Sequence, residues 1–317
     1  MFKGAFKYLG RAIAIGAIEH LAKKGYLCSD SASLGAAAGP ADGTRLITLD
    51  TVPSFRFRPH PPGLDEYISE QIRWHGIWEP LETEIIVRLA PLFDLFLDVG
   101  ANIGWFTALA REIMPSGATV HAFEPDIRNF ALLKENAGRG DRVQVHPVAV
   151  AVSDAVGTAR LYRAATNLGD HRLYASEEGR SSDEVPVTTL DRYFSGRALP
   201  PRLVKMDTQG SEAKILRGAK ATLQDGNHAS AYLIEFWPEG MNQSGEDVGA
   251  FISLLSSFPQ QPFMIDRVSH GLCPSNWDDV RRLCSEGALV QEDFVLVTTG
   301  SAAHLALADL IRTPAAA

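Results

Sequence analysis

Five carboxylates sit at, or just past, the ends of apolar runs in this sequence: Asp98, Glu124, Asp154, Asp207 and Glu235. One such acid would pass as a turn former or a cap. Five in succession point to one shared edge, because ligands of open α/β sheets bind outside the carboxyl ends of the strands. Asp98 lies in the most informative stretch, 95–107, which reads Leu-Phe-Leu-Asp-Val-Gly-Ala-Asn-Ile-Gly-Trp-Phe-Thr. An apolar run is followed by a glycine turn at Gly100 and Gly104, and a helical pattern opens at Trp105. Strand, glycine loop and helix bring backbone close to a nucleotide-like ligand. The dinucleotide fingerprint Gly-x-Gly-x-x-Gly is replaced here by Asp-x-Gly-x-x-x-Gly. A carboxylate at that point repels a diphosphate and attracts a nucleoside that carries positive charge. Glu124 stands 24 residues beyond Gly100, near the offset at which an acid meets ribose hydroxyls. Its two oxygens can accept both ribose O–H groups.

A second set of residues could act on the partner of that ligand. Lys205 and Asp207 are two apart on one predicted strand and so share a face. Asp207 is placed to orient the cofactor or an acceptor hydroxyl, with a strand-end cap as the structural alternative. Lys205 reads as an ion-pair partner for a neighbouring acid or as a base. His171 lies among Asn167, Asp170 and Arg172 in the long polar stretch 163–184. A connection of that length is commonly a lid or a binding loop, and His171 is its candidate general base. Asp207 and Glu235 could share a cation, but no third ligand shows itself, so a divalent metal is not expected. Trp78 and Trp237 could stack on a sugar face or be buried against the sheet. Glu79 precedes Pro80, which suits the first turn of a helix, and could cap that helix or face the ligand.

The elements that must hold these groups alternate. Strand patterns at 95–99, 119–123, 143–145, 203–206, 231–236, 263–265 and 294–297 are separated by helical patterns at 105–113, 127–136, 211–219 and 247–255. Strands at 158–162 and 185–187 pair with each other across the 163–184 stretch. This order predicts a doubly wound, mostly parallel sheet with helices on both faces. The chain divides into an amphipathic helix and linker (1–45), an extension or cap (46–90), the main domain (91–300) and a tail helix (301–317).

Composition narrows the function further. The 317 residues carry a net charge of −8, which argues against a nucleic-acid partner, whose binders show a basic stripe. Cys28, Cys273 and Cys284 form no Cys-x-x-Cys pair and fit a reducing cytoplasm. Lys3, Lys7, Arg11, Lys23 and Lys24 flank an apolar run at 12–18 that is too short to span a bilayer. Residues 1–25 read as a terminal helix that could rest on an anionic membrane surface.

Four motifs together carry a resemblance. Asp98-Val-Gly-Ala-Asn-Ile-Gly, Phe123-Glu-Pro, Thr189-Leu-Asp and Lys205-Met-Asp-Thr-Gln-Gly-Ser-Glu resemble the FkbM family of S-adenosylmethionine-dependent methyltransferases. The likeness covers roughly residues 75–298, with the motifs in the family's order. It implies a class I (Rossmann-like) methyltransferase acting on a hydroxyl of a saccharide, glycan or polyketide. By position, Asp98, Gly100, Asn102 and Gly104 would line the methionine part of the cofactor and Glu124 would hold its ribose. The segment from Ala151 to Asp154 would border the adenine. Met206-Asp207-Thr208-Gln209 stands where the family more often has Ile-Asp-Val-Glu/Gln, with the acid kept. Three rival readings are a Rossmann oxidoreductase, disfavoured by the missing middle glycine, an N-methyltransferase of a small amine, and a non-catalytic nucleotide-binding Rossmann module.

Overall fold

The structure, a computed structural model, describes residues 43–138, 142–175, 179–223, 229–287 and 289–312. The expected helix and linker at 1–42 lie outside the described residues. The chain opens with a hairpin, β1 (Arg45–Leu49) and β2 (Val52–Phe57), paired antiparallel. Two helices follow, α1 (Ile68–His75) and α2 (Pro80–Leu89), the second begun by Pro80. Then come β3 (Leu95–Val99), α3 (Trp105–Ile113), β4 (Thr119–Phe123), α4 (Ile127–Ala137) and β5 (Gln144–Val148).

A three-stranded side sheet is built from β6 (Ala151–Val152), β7 (Gly157–Tyr162) and β8 (Ser182–Thr188), in the order β6-β8-β7. The short helix α5 (Leu190–Tyr193) leads into β9 (Arg202–Met206), α6 (Glu212–Arg217), α7 (Lys220–Leu223) and β10 (Ala231–Phe236). The described chain ends with α8 (Pro238–Gln243), α9 (Val248–Leu255), β11 (Gln261–Asp266), β12 (Gly271–Pro274), α10 (Trp277–Ser285), β13 (Glu292–Val297) and α11 (Ala302–Ala306).

Eight strands form the main sheet in the order β12-β11-β13-β10-β9-β3-β4-β5. The five from β5 to β10 run parallel, whereas β13 lies antiparallel between β10 and β11. Every residue of β3, β9 and β10 is buried, as continuous apolar strands covered on both faces require. From β3 the chain winds outward through β4 and β5, then crosses back to β9 and β10. The switch point therefore falls between β3 and β9, where an open α/β sheet leaves a crevice.

The doubly wound class is the one the sequence predicted, and three local differences have physical causes. The strand expected to stop at 145 continues to Val148 through Pro147. β5 is the outer strand of the main sheet, where a residue without an N–H is tolerated. The helix expected over 211–219 stops at Arg217, with Gly218 at its C-cap, and α7 follows separately. β12 and α10 had no counterpart in the sequence pattern.

The N-terminal hairpin packs on α3, with Phe57 meeting Trp105 edge-on at 5.4 Å between ring centroids. Asn136 of α4 exchanges two hydrogen bonds with the backbone of Arg58, at 2.7 and 3.0 Å. These contacts fix the segment leading to α2 against the glycine-loop helix.

Candidate active site

A cavity of about 520 Å³ opens at the switch point. The loop after β3 forms its floor. Gly100 has φ +83°, and a Cβ on it would stand 1.9 Å from the carbonyl oxygen of Asp207. Only glycine lets the β3 turn lie against the end of β9. Asn102 also takes a left-handed backbone, φ +51°, held by its side-chain Oδ1 accepting from the Ile103 N–H at 2.7 Å.

One end of the cavity suits a nucleoside. The backbone N–H of Asn102 donates to Glu124 Oε2 at 2.9 Å, and that of Asp126 donates to Oε1 at 2.8 Å. Each oxygen keeps a further lone pair for a ligand hydroxyl. Burial pushes the Glu124 carboxyl up to about 8, against the N–H bonds from Asp126 and Asn102, which lower it. Val150, Ala151, Val152, Leu161 and Leu173 supply apolar walls nearby. The carbonyl of Leu168 receives amide donors from both Asn102 and Asn129, each at 2.9 Å. The polar stretch after β7 is thereby pinned over this end.

The other end is rich in charge. Lys205 Nζ lies 2.9 Å from Asp207 Oδ2 and 4.7 Å from the centre of the Phe106 ring. Burial alone would discharge this lysine; Asp207, Glu79 and Asp98 outweigh it and hold the ammonium charged well above its ordinary value. Burial likewise works against Asp207, and Lys205 more than offsets it, keeping the carboxylate below its usual range. Gln209 bridges two acids, its amide donating to Asp207 Oδ1 and Glu235 Oε1, both at 2.9 Å. Glu235 accepts further bonds from the Gln209 N–H and from Gln291. Arg267 lies between Glu82, at 2.6 Å, and Asp293. Behind this wall Glu212 folds the loop after β9, accepting from the Thr208 N–H and hydroxyl, both at 2.7 Å.

The residues singled out from sequence divide accordingly. Gly100, Asn102, Glu124, Ala151, His171, Lys205 and Asp207 all border the cavity. Asp98 does not. It is wholly buried beneath the loop, with Oδ2 accepting from the Thr107 hydroxyl at 2.6 Å and Oδ1 without a hydrogen-bond partner among the described residues. Its role from there is electrostatic, facing Lys205 across the β3–β9 register. Gly104 lies beneath the helix rather than along the cavity; a Cβ there would meet Leu133 of α4 at 2.7 Å. Asp154 points away, paired with Arg217 at 2.9 Å on the outer surface.

His171 needs a correction of role. Its Nδ1 accepts the Ala164 N–H at 3.2 Å, so the neutral ring carries its proton on Nε2 and is a donor. Burial drives its pKa down to about 4, so the ring is neutral at physiological pH. Nε2 stands 3.8 Å from Asp126, on the Glu124 side and away from the Lys205–Asp207 pair. Glu79, open between two roles in sequence, makes no capping bond to α2 and borders the cavity.

Sequence reasoning missed Glu82, Arg267, His270, Gln291 and Asp293, all at the charged end. The signal for Asp293 was present as an acid heading the apolar run 294–297. In an antiparallel strand it is the first residues, not the last, that reach the functional edge, and Asp293 stands beside Glu235 in the ladder. Asp207 and Glu235 spend their oxygens on the Gln209 amide, and no group of three metal-ligating side chains exists among the described residues.

The sheet order and the site at its switch point define a Rossmann-like fold of the class I methyltransferase type. The family described as the methyltransferase FkbM domain matches residues 98–257, half of the chain, and the protein belongs to that family. A relative in Streptomyces tacrolimicus, the 31-O-demethyl-FK506 methyltransferase FkbM, is 48% identical over 157 residues, or 40% of this chain and 60% of that protein. The hexuronic acid methyltransferase AglP of Haloferax volcanii is 31% identical over 136 residues, 42% of this chain and 53% of its own. These matches thus span between half and two thirds of the relatives' length. Among solved structures, an O-methyltransferase from Bacillus cereus in complex with SAH superposes at a TM-score of 0.39, with 12% identity over 70% of this chain and 83% of that one.

Proposed function

We propose that this protein transfers a methyl group from S-adenosylmethionine to a hydroxyl of a saccharide, glycan or related natural product. One observation carries the reading: a single cavity joins the Glu124 nucleoside end to the charged Lys205–Asp207 end. The donor set fits the cofactor. Glu124 has lone pairs for the ribose hydroxyls, the apolar walls at 150–152 suit adenine, and the negative charge near Asp98 and Asp207 suits a sulfonium and an ammonium. The cofactor supplies an activated methyl on positively charged sulfur. The protein's part is to hold the acceptor oxygen in line with that carbon, which accounts for much of the rate gain. Asp207, fixed by Lys205 and Gln209, is the orienting carboxylate at this edge. His171 belongs to the cofactor end as a donor.

The carboxylate-rich end would also hold an ammonium, which keeps amino-bearing acceptors in view. The decisive assay mixes the protein and the cofactor with a panel of acceptors: simple glycosides, an amino sugar and a macrolide. Release of S-adenosylhomocysteine with at least one acceptor, with the methyl located on oxygen by mass spectrometry, is the expected result. Methyl on nitrogen would select the amine reading. Absence of cofactor binding by calorimetry would end both.

A pH effect follows from Glu124. Burial pushes its carboxyl up to about 8, so it is largely protonated at neutral pH. The ionised form is the one that accepts two ribose O–H groups and complements a cationic ligand, so binding releases a proton. Cofactor affinity is expected to rise with pH through 8, and calorimetry in buffers of different ionisation enthalpy should count the proton released. The Glu124→Gln variant should bind more weakly and show neither effect.

A further inference from the structure

We infer that the Glu79 carboxylate takes the proton of the acceptor hydroxyl as the methyl group is transferred. The inference rests on the methyltransferase reading above and deepens it by naming the base. At the charged end each other carboxylate is committed to the protein. Asp207 is held by Lys205 and Gln209, Glu235 by Gln209 and Gln291, and both Glu82 and Asp293 by Arg267. Glu79 borders the same cavity, and among the described residues its carboxylate has no hydrogen bond or ion pair.

Its backbone is held in place for the purpose. Glu79 adopts φ +41° and ψ 77°, a left-handed conformation that a non-glycine residue rarely takes. Its side chain makes no capping bond to α2. The turn is locked from both sides: the Thr83 N–H donates to the Glu79 carbonyl at 2.8 Å, and the Thr83 hydroxyl donates to the Trp78 carbonyl at 2.6 Å. That same hydroxyl accepts from Trp105 Nε1 at 2.8 Å, tying the Glu79 turn to the first residue of the glycine-loop helix. The carboxylate and the cofactor loop are therefore positioned by one connected unit.

Burial raises the Glu79 carboxyl well above its ordinary value, with Glu82, Asp207 and Asp293 adding to the rise and Lys205 opposing it, so it holds a proton more tightly than an exposed carboxylate does. In the step itself the hydroxyl oxygen forms the bond to the methyl carbon. The carbon–sulfur bond breaks with its electrons passing to sulfur, and the hydroxyl proton passes to Glu79.

The test uses the full chain with Glu79→Gln and Glu79→Asp variants, each checked for an unchanged melting temperature. Calorimetry first compares S-adenosylhomocysteine with sinefungin, whose ammonium stands at the position of the methylated sulfonium. Loss of one charge-assisted hydrogen bond should weaken sinefungin by roughly tenfold or more in Glu79→Gln, and S-adenosylhomocysteine far less. With the acceptor found above, kcat should fall by about a hundredfold or more, with KM little changed and partial recovery in Glu79→Asp. An unchanged preference for sinefungin, or an unchanged kcat, overturns the role of Glu79. Failure of the wild-type protein to bind either nucleoside would instead overturn the methyltransferase reading.

Discussion

Gly100→Ala is expected to abolish cofactor binding and to lower the melting temperature. The added methyl would stand 1.9 Å from a backbone carbonyl oxygen, that of Asp207, and 2.9 Å from its carbon. Neither atom can swing aside as a side-chain tip could. The residue would also occupy φ +83° with a Cβ. Strain at that conformation and overpacking each cost roughly 1–3 kcal/mol, so a loss of roughly 2–6 kcal/mol is expected. Relief requires β3 and β9 to separate at their carboxyl ends, and that displaces Asn102 and Asp207 together. Thermal unfolding and cofactor calorimetry on the same sample check both parts. A variant that melts with the wild type and binds normally would show that the two strand ends do not meet.

Lys205→Met has the second large effect. Lys205 is 4% exposed and is the cation that Asp98, Asp207 and Glu79 share. Methionine keeps much of the volume and removes the charge. The buried Asp98 and the half-buried Asp207 and Glu79 then face one another without it, and breaking a buried pair from one side costs about 3–5 kcal/mol, an upper bound for this partly exposed pair. The sign of the pH dependence is fixed by Asp207. Its folded pKa is depressed, so the pair stabilises the wild type above the ordinary carboxylate range and loses that contribution as pH falls through the depressed value. In Lys205→Met the carboxyl groups are instead stabilised by protonation. The difference in stability between the two proteins should therefore be large at neutral pH and shrink in acid. Chemical denaturation at neutral and acid pH measures it, and a gap that does not change with pH would contradict the shared-cation arrangement.

The cofactor half of the site was legible in the sequence because its chemistry is local. Asp98, the glycine turn and Asn102 sit within one strand–loop–helix unit, and Glu124 ends the next strand. Even so, the sequence showed proximity without orientation. Asp98 and Gly104 belong to the right loop, yet one is buried beneath it and the other packs under the helix. Asp154 follows a strand end that belongs to the small side sheet, so the rule for the main sheet did not apply to it. At the charged end Lys205, Asp207 and Glu235 were legible as strand-end residues, but Glu82, Arg267, His270, Gln291 and Asp293 were hidden for a different reason. They come from the first turn of α2, the β11–β12 turn and the chain around the start of β13, parts far apart in sequence that meet only once β13 reverses direction. No periodicity or spacing records such a meeting.

The segment shared across the family, 98–257, contains Glu124, Lys205 and Asp207 but ends before Arg267, Gln291 and Asp293 and begins after Trp78, Glu79 and Glu82. The two flanks thus add Glu79, Glu82, Arg267, Gln291 and Asp293 to the charged end, beside Lys205, Asp207 and Glu235 of the shared core. A likeness confined to that segment therefore carries no information about the part of the charged end that the flanks supply.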